Sequence, residues 1–284
     1  DQFERAMAST RRILNLIHVP IVIKDATHPI SLDNYMKPII FNQVTFRYTT
    51  SHTIINSLNL KIEAGKLLGV VGATGTGKTT LAKFLLRFYD PTEGCITFND
   101  TDIRELSVKE LRQNIGFVSQ EIYLFDGSIQ DNICYSHQNF DYDKMLIASK
   151  KSQAHDFIEN LPQKYNTRIG ERGQKLSAGQ KQRLAIARAI YKDPPIFIFD
   201  EATSAIDNHT EKLIQNAILA ASMGRTTIVI AHRLSTIRHA HRIIVLDQSK
   251  IIEDGTHDSL LEIKNGSYAN LWNIQTGEKN DPIQ

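Results

Sequence analysis

Cysteine is scarce in this chain of 284 residues, which contains only Cys95 and Cys134. The two lie far apart and fit no C-x-x-C spacing, so the sequence predicts neither a metal or redox site of that type nor a disulfide framework. We therefore expect a reducing compartment.

Strong charge and long apolar runs are absent as well. The net charge is only +2 and the Lys and Arg residues are dispersed, which predicts no nucleic-acid partner. No apolar run approaches the roughly 18 to 20 residues of a membrane-spanning helix, and the polar first residues do not fit a signal peptide. No internal repeat is visible, which excludes a solenoid.

Residues 1–37 have the pattern of a helix followed by a linker. One face of an amphipathic helix is indicated by residues that recur at steps of four and three, namely Phe3, Met7, Thr10, Leu14 and Ile17. Pro20, Pro29 and Pro38 then predict an extended linker. Because the chain begins with Asp rather than Met, we expect a fragment whose upstream region is missing.

The most informative motif is the phosphate-binding loop pattern G-x-x-x-x-G-K-[ST] at residues 72–79. Such a loop surrounds a polyphosphate with backbone N–H groups, and its glycines permit the close approach and unusual φ angles. The predicted nucleotide contacts are Gly72, Ala73, Thr74, Gly75, Thr76, Gly77, Lys78, Thr79 and Thr80. Lys78 supplies a mobile charge, and the Thr79 hydroxyl can bind Mg²⁺.

The sequence around this loop predicts an α/β fold. The apolar run at residues 66–71 is typical of a buried parallel strand, and the helical spacing of Leu81, Phe84, Leu85 and Phe88 follows it. Residues 39–62 predict an antiparallel sheet, and residues 145–159 and 179–191 predict two helices. The fold is therefore expected to be a P-loop NTPase core with an antiparallel β subdomain and a helical subdomain inserted at about residues 121–192.

Two further motifs could contribute to a nucleotide site. One places carboxylates at the end of a strand, and the other forms the start of a helix. The apolar residues 196–199 predict a strand that ends on Asp200, which in phosphate-loop enzymes supports Mg²⁺. The adjacent Glu201 is a candidate general base or water-orienting group. Residues 176–180 open the second predicted helix, with Ser177 as its N-cap and Gly179 keeping the backbone accessible to an anion.

In this order, the motifs resemble those of the ATP-binding cassette family, in particular the nucleotide-binding domain of exporters. Residues 176–180 are similar to the family signature, which adds Ser177, Ala178, Gly179 and Gln180 to the nucleotide contacts. Residues 204–207, with Asp207, resemble the D-loop, and residues 167–173 resemble a segment that faces the membrane-domain couplers. Gln120 matches the Q-loop, His232 the switch histidine and Tyr48 the adenine-stacking aromatic.

The resemblance implies a mechanism and partners. Lys78, Gln120, Glu201 and His232 are the implied catalytic residues, and Thr79, Gln120 and Asp200 the implied Mg²⁺ ligands. Domains of this family pair head to tail, so ATP on the P-loop of one copy would be covered by the signature of a second copy. Residues 38–284 would form the nucleotide-binding domain, downstream of a membrane domain on the same polypeptide and at the cytosolic face of a membrane.

Two alternatives to an exporter motor remain open from the sequence. One is a soluble cassette ATPase that acts as a clamp in DNA repair or translation, although the long coiled-coil insertion or second cassette usual in that class is not visible. The other is a regulatory module that binds ATP without hydrolysis, against which Glu201 and His232 argue. Ala178 replaces the first signature glycine, and we expect a small effect because a helical φ tolerates a Cβ.

Overall fold

The computed structural model describes residues 2–49, 52–135, 140–201 and 207–277. The strands are β1 (Ile39–Thr49), β2 (His52–Ile62), β3 (Leu67–Gly72), β4 (Glu93–Phe98), β5 (Thr101–Asp102), β6 (Ile115–Val118), β7 (Ile196–Asp200), β8 (Thr226–Ile230), β9 (Arg242–Asp247) and β10 (Lys250–Gly255). The helices are α1 (Gln2–Ile17), α2 (Lys78–Leu85), α3 (Val108–Gln113), α4 (Ile129–Cys134), α5 (Tyr142–Lys151), α6 (His155–Glu159), α7 (Ala178–Lys192), α8 (Asn208–Ser222), α9 (His257–Leu261) and α10 (Ser267–Thr276).

The centre of the fold is a largely parallel sheet in the order β10-β9-β3-β8-β7-β6. Only β10 runs antiparallel to its neighbour within this sheet. Every residue of β7 and β8 is buried, as expected for strands that are covered on both faces. Alternate side chains enter different cores: Phe197 and Phe199 face the cluster shared with the helical subdomain, whereas Ile196 and Ile198 face the cluster shared with α2.

The predicted antiparallel sheet is present, in the order β2-β1-β4-β5. It packs against α2, where the rings of Phe46 and Phe84 lie 5.1 Å apart in an edge-to-face arrangement. The sequence prediction covered only β1 and β2. The strand β4, which pairs with β1, lies beyond the segment predicted as sheet.

A helical subdomain is inserted between β6 and β7, as predicted. Arg188 of α7 joins two of its helices, because its Nε donates to the Asn132 carbonyl in α4 at 2.8 Å. The single helix predicted at residues 145–159 was wrong, since the structure has α5 and α6 with a turn between them. Gln153 in this turn has φ +58°, which ends the helix, and its carbonyl accepts from Arg183 at 2.7 Å.

The N-terminal segment has two parts with different packing. Helix α1 has the predicted amphipathic pattern, but none of its residues is buried. The following linker is attached to the domain: Asp25 accepts from the Val108 N–H at 2.7 Å, and Ile30 donates to the Glu105 carbonyl at 2.8 Å. Within the described ranges, no helix combines the length and the apolar character needed to cross a bilayer.

Candidate active site

The P-loop connects β3 to α2, and glycine is required at several of its positions. Gly72, Gly75 and Gly77 have φ angles of +149°, +85° and +99°, which side-chain-bearing residues rarely adopt. At Gly72 a Cβ would also lie 2.1 Å from the Leu246 carbonyl oxygen on the neighbouring strand β9. The loop follows the carboxyl end of β3 and leads directly into the N-terminus of α2, the arrangement that binds phosphate.

Lys78 is the charged group of this loop. Its side chain is buried, and its Nζ donates to the carbonyls of Gly72 and Ala73 at 2.9 and 2.8 Å. Burial lowers the pKa of Lys78, although the nearby carboxylates of Glu201 and Asp200 oppose this effect. The ammonium is therefore held over the loop by backbone carbonyls and is poorly solvated, so an anionic phosphate would be a strong partner.

Asp200 ends β7 and faces the first turn of α2. The Thr79 hydroxyl donates to its Oδ1 at 3.3 Å. Burial raises the pKa of Asp200, with the Thr79 hydrogen bond acting in the opposite direction. A hydroxyl and a carboxylate on converging elements are the oxygen ligands that Mg²⁺ takes in phosphate sites, so these residues fit the predicted cation.

Glu201 occupies a strained position immediately after β7. Its φ is +51°, in the left-handed region, and its N–H continues the sheet by donating to the Ile230 carbonyl at 2.9 Å. The carboxylate accepts a hydrogen bond from Gln120 Nε2 through Oε2, and Oε1 lies 2.5 Å from His232 Nε2. Three predicted residues that follow β6, β7 and β8 therefore meet at one carboxylate.

Tyr48, the predicted adenine contact, lies beside the P-loop and lines the same pocket. Its hydroxyl is 3.2 Å from Thr80 Oγ1, the residue is 43% exposed, and the Lys83 Nζ lies over the ring, 5.5 Å from its centroid. The ring packs edge-to-face against Phe46 and against Tyr89, with centroids 4.8 and 5.0 Å away. No sequence pattern indicated Tyr89, because that residue follows α2 and reaches Tyr48 only through the fold.

Most of these residues line one pocket of about 480 Å³, although Gly72 and Asp200 do not reach its surface. Its lining consists of Tyr48, Ile54, Thr74, Gly75, Gly77, Lys78, Thr79, Thr80, Lys83, Gln120, Glu201 and His232. A roomier groove of about 930 Å³ lies between the linker and α3 and contains none of the predicted site residues. The site is therefore identified by the residues that line the pocket and not by the size of the cavity.

The predicted signature residues lie elsewhere in the chain's own fold. None of residues 176–180 lines the P-loop pocket formed by the described part of the chain. Ser177 caps α7 in a capping box with Gln180, whose side chain accepts from the Ser177 N–H at 2.9 Å. Ser177 and Ala178 are exposed, and Ala178 has no positive φ, which meets the condition for a small effect of its Cβ.

The predicted D-loop is described only at its end. Ser204, Ala205 and Ile206 lie outside the described residues. Asp207 is the N-cap of α8 and accepts from the Thr210 N–H at 2.9 Å. This backbone hydrogen bond and others lower the pKa of the Asp207 carboxyl.

The fold and the pocket together define a class of protein. A P-loop that joins a central parallel strand to the N-terminus of a helix, with Asp200 and Glu201 at the end of a second strand, is the site of a P-loop nucleoside triphosphatase. The family model described as "ABC transporter" matches residues 55–204, more than half of the chain. The chain belongs to the ABC transporter family, and the predicted family and ATP-binding ATPase domain are confirmed.

Relatives extend the similarity over nearly the whole chain. The ATP-dependent lipid A-core flippase of Legionella pneumophila (strain Paris) is 43% identical over 272 residues, covering 96% of this chain and 46% of that protein. ABC transporter B family member 22 of Arabidopsis thaliana is 42% identical over 282 residues, covering 98% and 23% respectively. The chain therefore spans about half or less of the length of these relatives.

Structural similarity supports the same class. The solved structure described as "Structure of a bacterial Atm1-family ABC exporter with ATP bound" has a TM-score of 0.88 and 40% identity, and the match covers 97% of this chain and 48% of that chain. This confirms the predicted fold class. The exporter prediction is supported over the soluble clamp, which these relatives do not favour.

Proposed function

We propose that this chain is the ATP-hydrolysing motor domain of an ABC exporter. The observation that carries the proposal is the contact of Gln120 and His232 with Glu201, in the pocket that also contains Lys78 and Thr79. A carboxylate beside a phosphate loop, with partners from two other strand ends, is suited to hydrolysis and not only to binding.

The phosphate side of the site would be formed by the P-loop. Backbone N–H groups of residues 72–80 and the Lys78 ammonium neutralise the phosphates, and Tyr48 supports the adenine. Thr79, Asp200 and Gln120 provide oxygen atoms that would hold the accompanying Mg²⁺. When bound, that cation neutralises charge on the phosphates.

On the water side, Glu201 is the proposed proton acceptor. His232 and Gln120 fix the direction of its carboxylate, and the sheet hydrogen bond from the Glu201 N–H to Ile230 fixes its backbone. His232 would also hold the γ-phosphate in line with the attacking water. Because its carboxylate and backbone are held in this way, Glu201 would need little further movement to reach the reactive geometry.

The remaining half of the site would come from a second copy. Ser177, Ala178, Gly179 and Gln180 open α7, and the P-loop pocket of the same chain does not contain them. A two-fold pairing in which each signature covers the other copy's P-loop, with Asp207 at the interface, would place this helix N-terminus at a phosphate. ATP would close this dimer and hydrolysis would reopen it.

The chain's position in a larger protein is part of the proposal. Residues 1–37 would connect the nucleotide-binding domain, residues 38–284, to a membrane domain upstream on the same polypeptide. The exposed apolar face of α1 supports this assignment because such a face normally packs on another element. The domain would then lie at the cytosolic face of a membrane. The relatives are described as a lipid A-core flippase, an ABC transporter B family member and an Atm1-family ABC exporter. Because these descriptions differ, the similarity supports the motor function and leaves the exported substrate open.

Replacement of Glu201 by Gln tests the catalytic assignment. The amide keeps the size of the side chain but cannot accept the proton, so steady-state phosphate release is expected to fall at least about 100-fold. ATP binding should persist, and an ATP-dependent dimer should accumulate, measured by size-exclusion chromatography with light scattering.

Glu262→Gln is the matched control, because Glu262 is exposed and lies at the end of α9. It should hydrolyse ATP at the wild-type rate and form no stable dimer. Unchanged phosphate release by the Glu201→Gln protein would contradict the proposal. A wild-type protein that binds ATP without releasing phosphate would instead support the regulatory module.

A further inference from the structure

The segment that carries His232 is irregular and needs support from elsewhere. His232 lies just after β8, and its side chain is 42% exposed, so packing alone does not fix its ring. The last sheet contact before it is the Ala231 N–H donating to the Val70 carbonyl at 3.1 Å. The backbone from residue 232 onward must therefore be held by other groups if the His232 ring is to stay on Glu201.

One side chain holds this backbone at two points. The Gln275 amide donates from Nε2 to the His232 carbonyl at 2.6 Å, and its Oε1 accepts from the Leu234 N–H at 2.9 Å. A primary amide that donates and accepts across a short segment reproduces the pairing of a neighbouring strand. The two hydrogen bonds hold the backbone at His232 and at Leu234, and the His232 side chain remains directed at Glu201.

Gln275 is itself presented by an anchored helix. It lies in the last turn of α10, whose first N–H groups at Ser267 and Tyr268 donate to the Glu253 carboxylate at 2.5 and 2.9 Å. The Tyr268 hydroxyl also lies 2.8 Å from His257 Nδ1 in a buried contact. A side chain on a helix fixed at its other end can define a backbone position more accurately than a loop residue can.

A second set of contacts holds the same segment from α8. The Arg233 guanidinium forms an ion pair with the Glu211 carboxylate, which also accepts from the Ser235 hydroxyl at 2.8 Å. Gln215 donates to both Glu211 and Ser235 at 2.9 and 3.0 Å. The segment at residues 232–235 is therefore bonded on one side to α10 and on the other to α8.

We propose that Gln275 is a positioning residue for hydrolysis, which holds His232 against Glu201 through its two backbone hydrogen bonds. This rests on the proposed catalytic roles of His232 and Glu201. Gln275 lines a different pocket, with Arg233, Glu211 and Trp272, so it acts through the backbone of His232 and not on the nucleotide.

The first test compares Gln275→Ala and Gln275→Met in the full chain. Both remove the two hydrogen bonds, and Met keeps the length of the side chain, so both should behave alike. A catalytic group that is no longer held in place can lose up to about 100-fold in rate, and the α8 contacts remain, so we expect kcat to fall about tenfold. The KM for ATP should change less than about twofold, because the P-loop contacts are untouched.

Ile274→Ala is the matched control, since Ile274 is the adjacent α10 residue and is 80% exposed. It should leave kcat unchanged, and thermal unfolding should show the same melting temperature for all three variants within a few degrees. A wild-type kcat in both Gln275 variants would overturn the proposal. Loss of activity only in Gln275→Ala would also overturn it, because packing rather than hydrogen bonding would then be responsible.

The second test combines Gln275→Ala with His232→Ala. If Gln275 acts through His232, the double variant should hydrolyse ATP at the rate of the His232→Ala single variant. A further tenfold loss in the double variant would overturn the positioning role while leaving the proposed function intact. Wild-type hydrolysis by His232→Ala alone would instead show that the proposed role of His232 is wrong, and the inference would fail with it.

Discussion

At the scale of single residues, the candidate site is built from groups that destabilise the isolated fold. Asp200 is 3% exposed and Lys78 is 5% exposed. Burial raises the pKa of Asp200 and lowers the pKa of Lys78, and both shifts favour the neutral form of the side chain. Glu201 adds a left-handed backbone conformation, which for a residue with a Cβ costs about 1 kcal/mol. The residues proposed to bind phosphate and cation are therefore poorly satisfied by the protein alone, as is common where function competes with stability.

The first prediction concerns Asp200→Asn. The pKa of Asp200 is raised in the folded state, so the unfolded carboxyl ionises at a lower pH than the folded one, and this group's contribution to stability is lost as pH rises through the folded pKa. At pH 7.5 the nucleotide-free Asn variant should melt a few degrees higher than wild type, since 1 kcal/mol corresponds to roughly 2 to 4 °C in a domain of this size. Differential scanning calorimetry measures this change.

The Asp200→Asn variant can also be compared with wild type at lower pH and in an ATP hydrolysis assay. The stabilisation should shrink as the pH is lowered toward 4, because the folded-state carboxyl, whose pKa is raised, then becomes protonated while the unfolded one only approaches its ordinary pKa of 3.8. Mg²⁺-dependent ATP hydrolysis should fall strongly in the same variant. Asp33→Asn, at an exposed position, is the control and should change neither quantity. A lower melting temperature for Asp200→Asn at pH 7.5 would show that the interaction with Lys78 outweighs the burial of Asp200.

At the scale of elements, the linker and α1 differ although they are adjacent in sequence. Arg87, just beyond α2, is 3% exposed, and its guanidinium donates to the Lys24 carbonyl at 2.9 Å and to Asp90 at 3.1 Å. A buried guanidinium requires such partners, so the linker completes the surroundings of the helix that follows the P-loop. In contrast, α1 presents Phe3 and Leu16 at 76% and 75% exposure.

The second prediction is that two N-terminal deletions separate these roles. Removal of residues 1–19 should leave the melting temperature within about 2 °C of wild type, since α1 buries nothing in this domain. Removal of residues 1–33 should lower it by roughly 6 to 12 °C, because Arg87, Val108 and the Glu105 carbonyl lose hydrogen bonds that each contribute on the order of 1 kcal/mol. Thermal unfolding followed by circular dichroism measures both. Equal melting temperatures for the two deletions would show that the linker contacts contribute no stability.

At the scale of the whole molecule, the two helix N-termini proposed to bind the nucleotide, those of α2 and α7, do not share a pocket in the described part of one copy. The P-loop and α2 form the pocket with Glu201, whereas Ser177 caps α7 at an exposed position. The simplest arrangement that uses both is the proposed two-fold dimer, in which each site is completed by the other copy.

The third prediction is a complementation between two inactive variants. Lys78→Ala disables the P-loop and Ser177→Arg blocks the signature, so neither variant should hydrolyse ATP alone. In a mixed dimer the P-loop of the Ser177→Arg copy meets the intact signature of the Lys78→Ala copy, which restores one site. An equal mixture should therefore recover about a quarter of the wild-type phosphate release, if copies pair at random and sites act independently.

The control is a double variant with both changes in one chain, mixed with Lys78→Ala. No dimer in that mixture contains an intact P-loop, so no activity should return. Absence of recovery in the first mixture, with normal dimer formation, would show that the signature does not complete the partner's site.

Local sequence patterns were enough to predict the class of fold and most of the candidate chemistry. The P-loop spacing, the strand ending on Asp200 and the capped start of α7 are local patterns, because glycine conformation, buried strands and helix caps depend on neighbouring residues. Such patterns were sufficient to predict the parallel core and the helical insertion, and to indicate residues 72–80, 200 and 201 as site candidates, whereas Gln120 and His232 were predicted only from the resemblance to the ATP-binding cassette family. Their individual roles remain predictions that the variants above test.

How these pieces meet, and which groups support them, depends on contacts between residues that are distant in the sequence. The turn at Gln153 depends on Arg183 from α7, and the pairing of β4 with β1 depends on contacts between distant residues. Likewise, Tyr89 reaches Tyr48 and Gln275 reaches His232 across separations of 41 and 43 residues, which no local pattern encodes. Contacts of this kind follow from the packing of complete elements, because a side chain's partner is fixed only when both elements have a place in the fold.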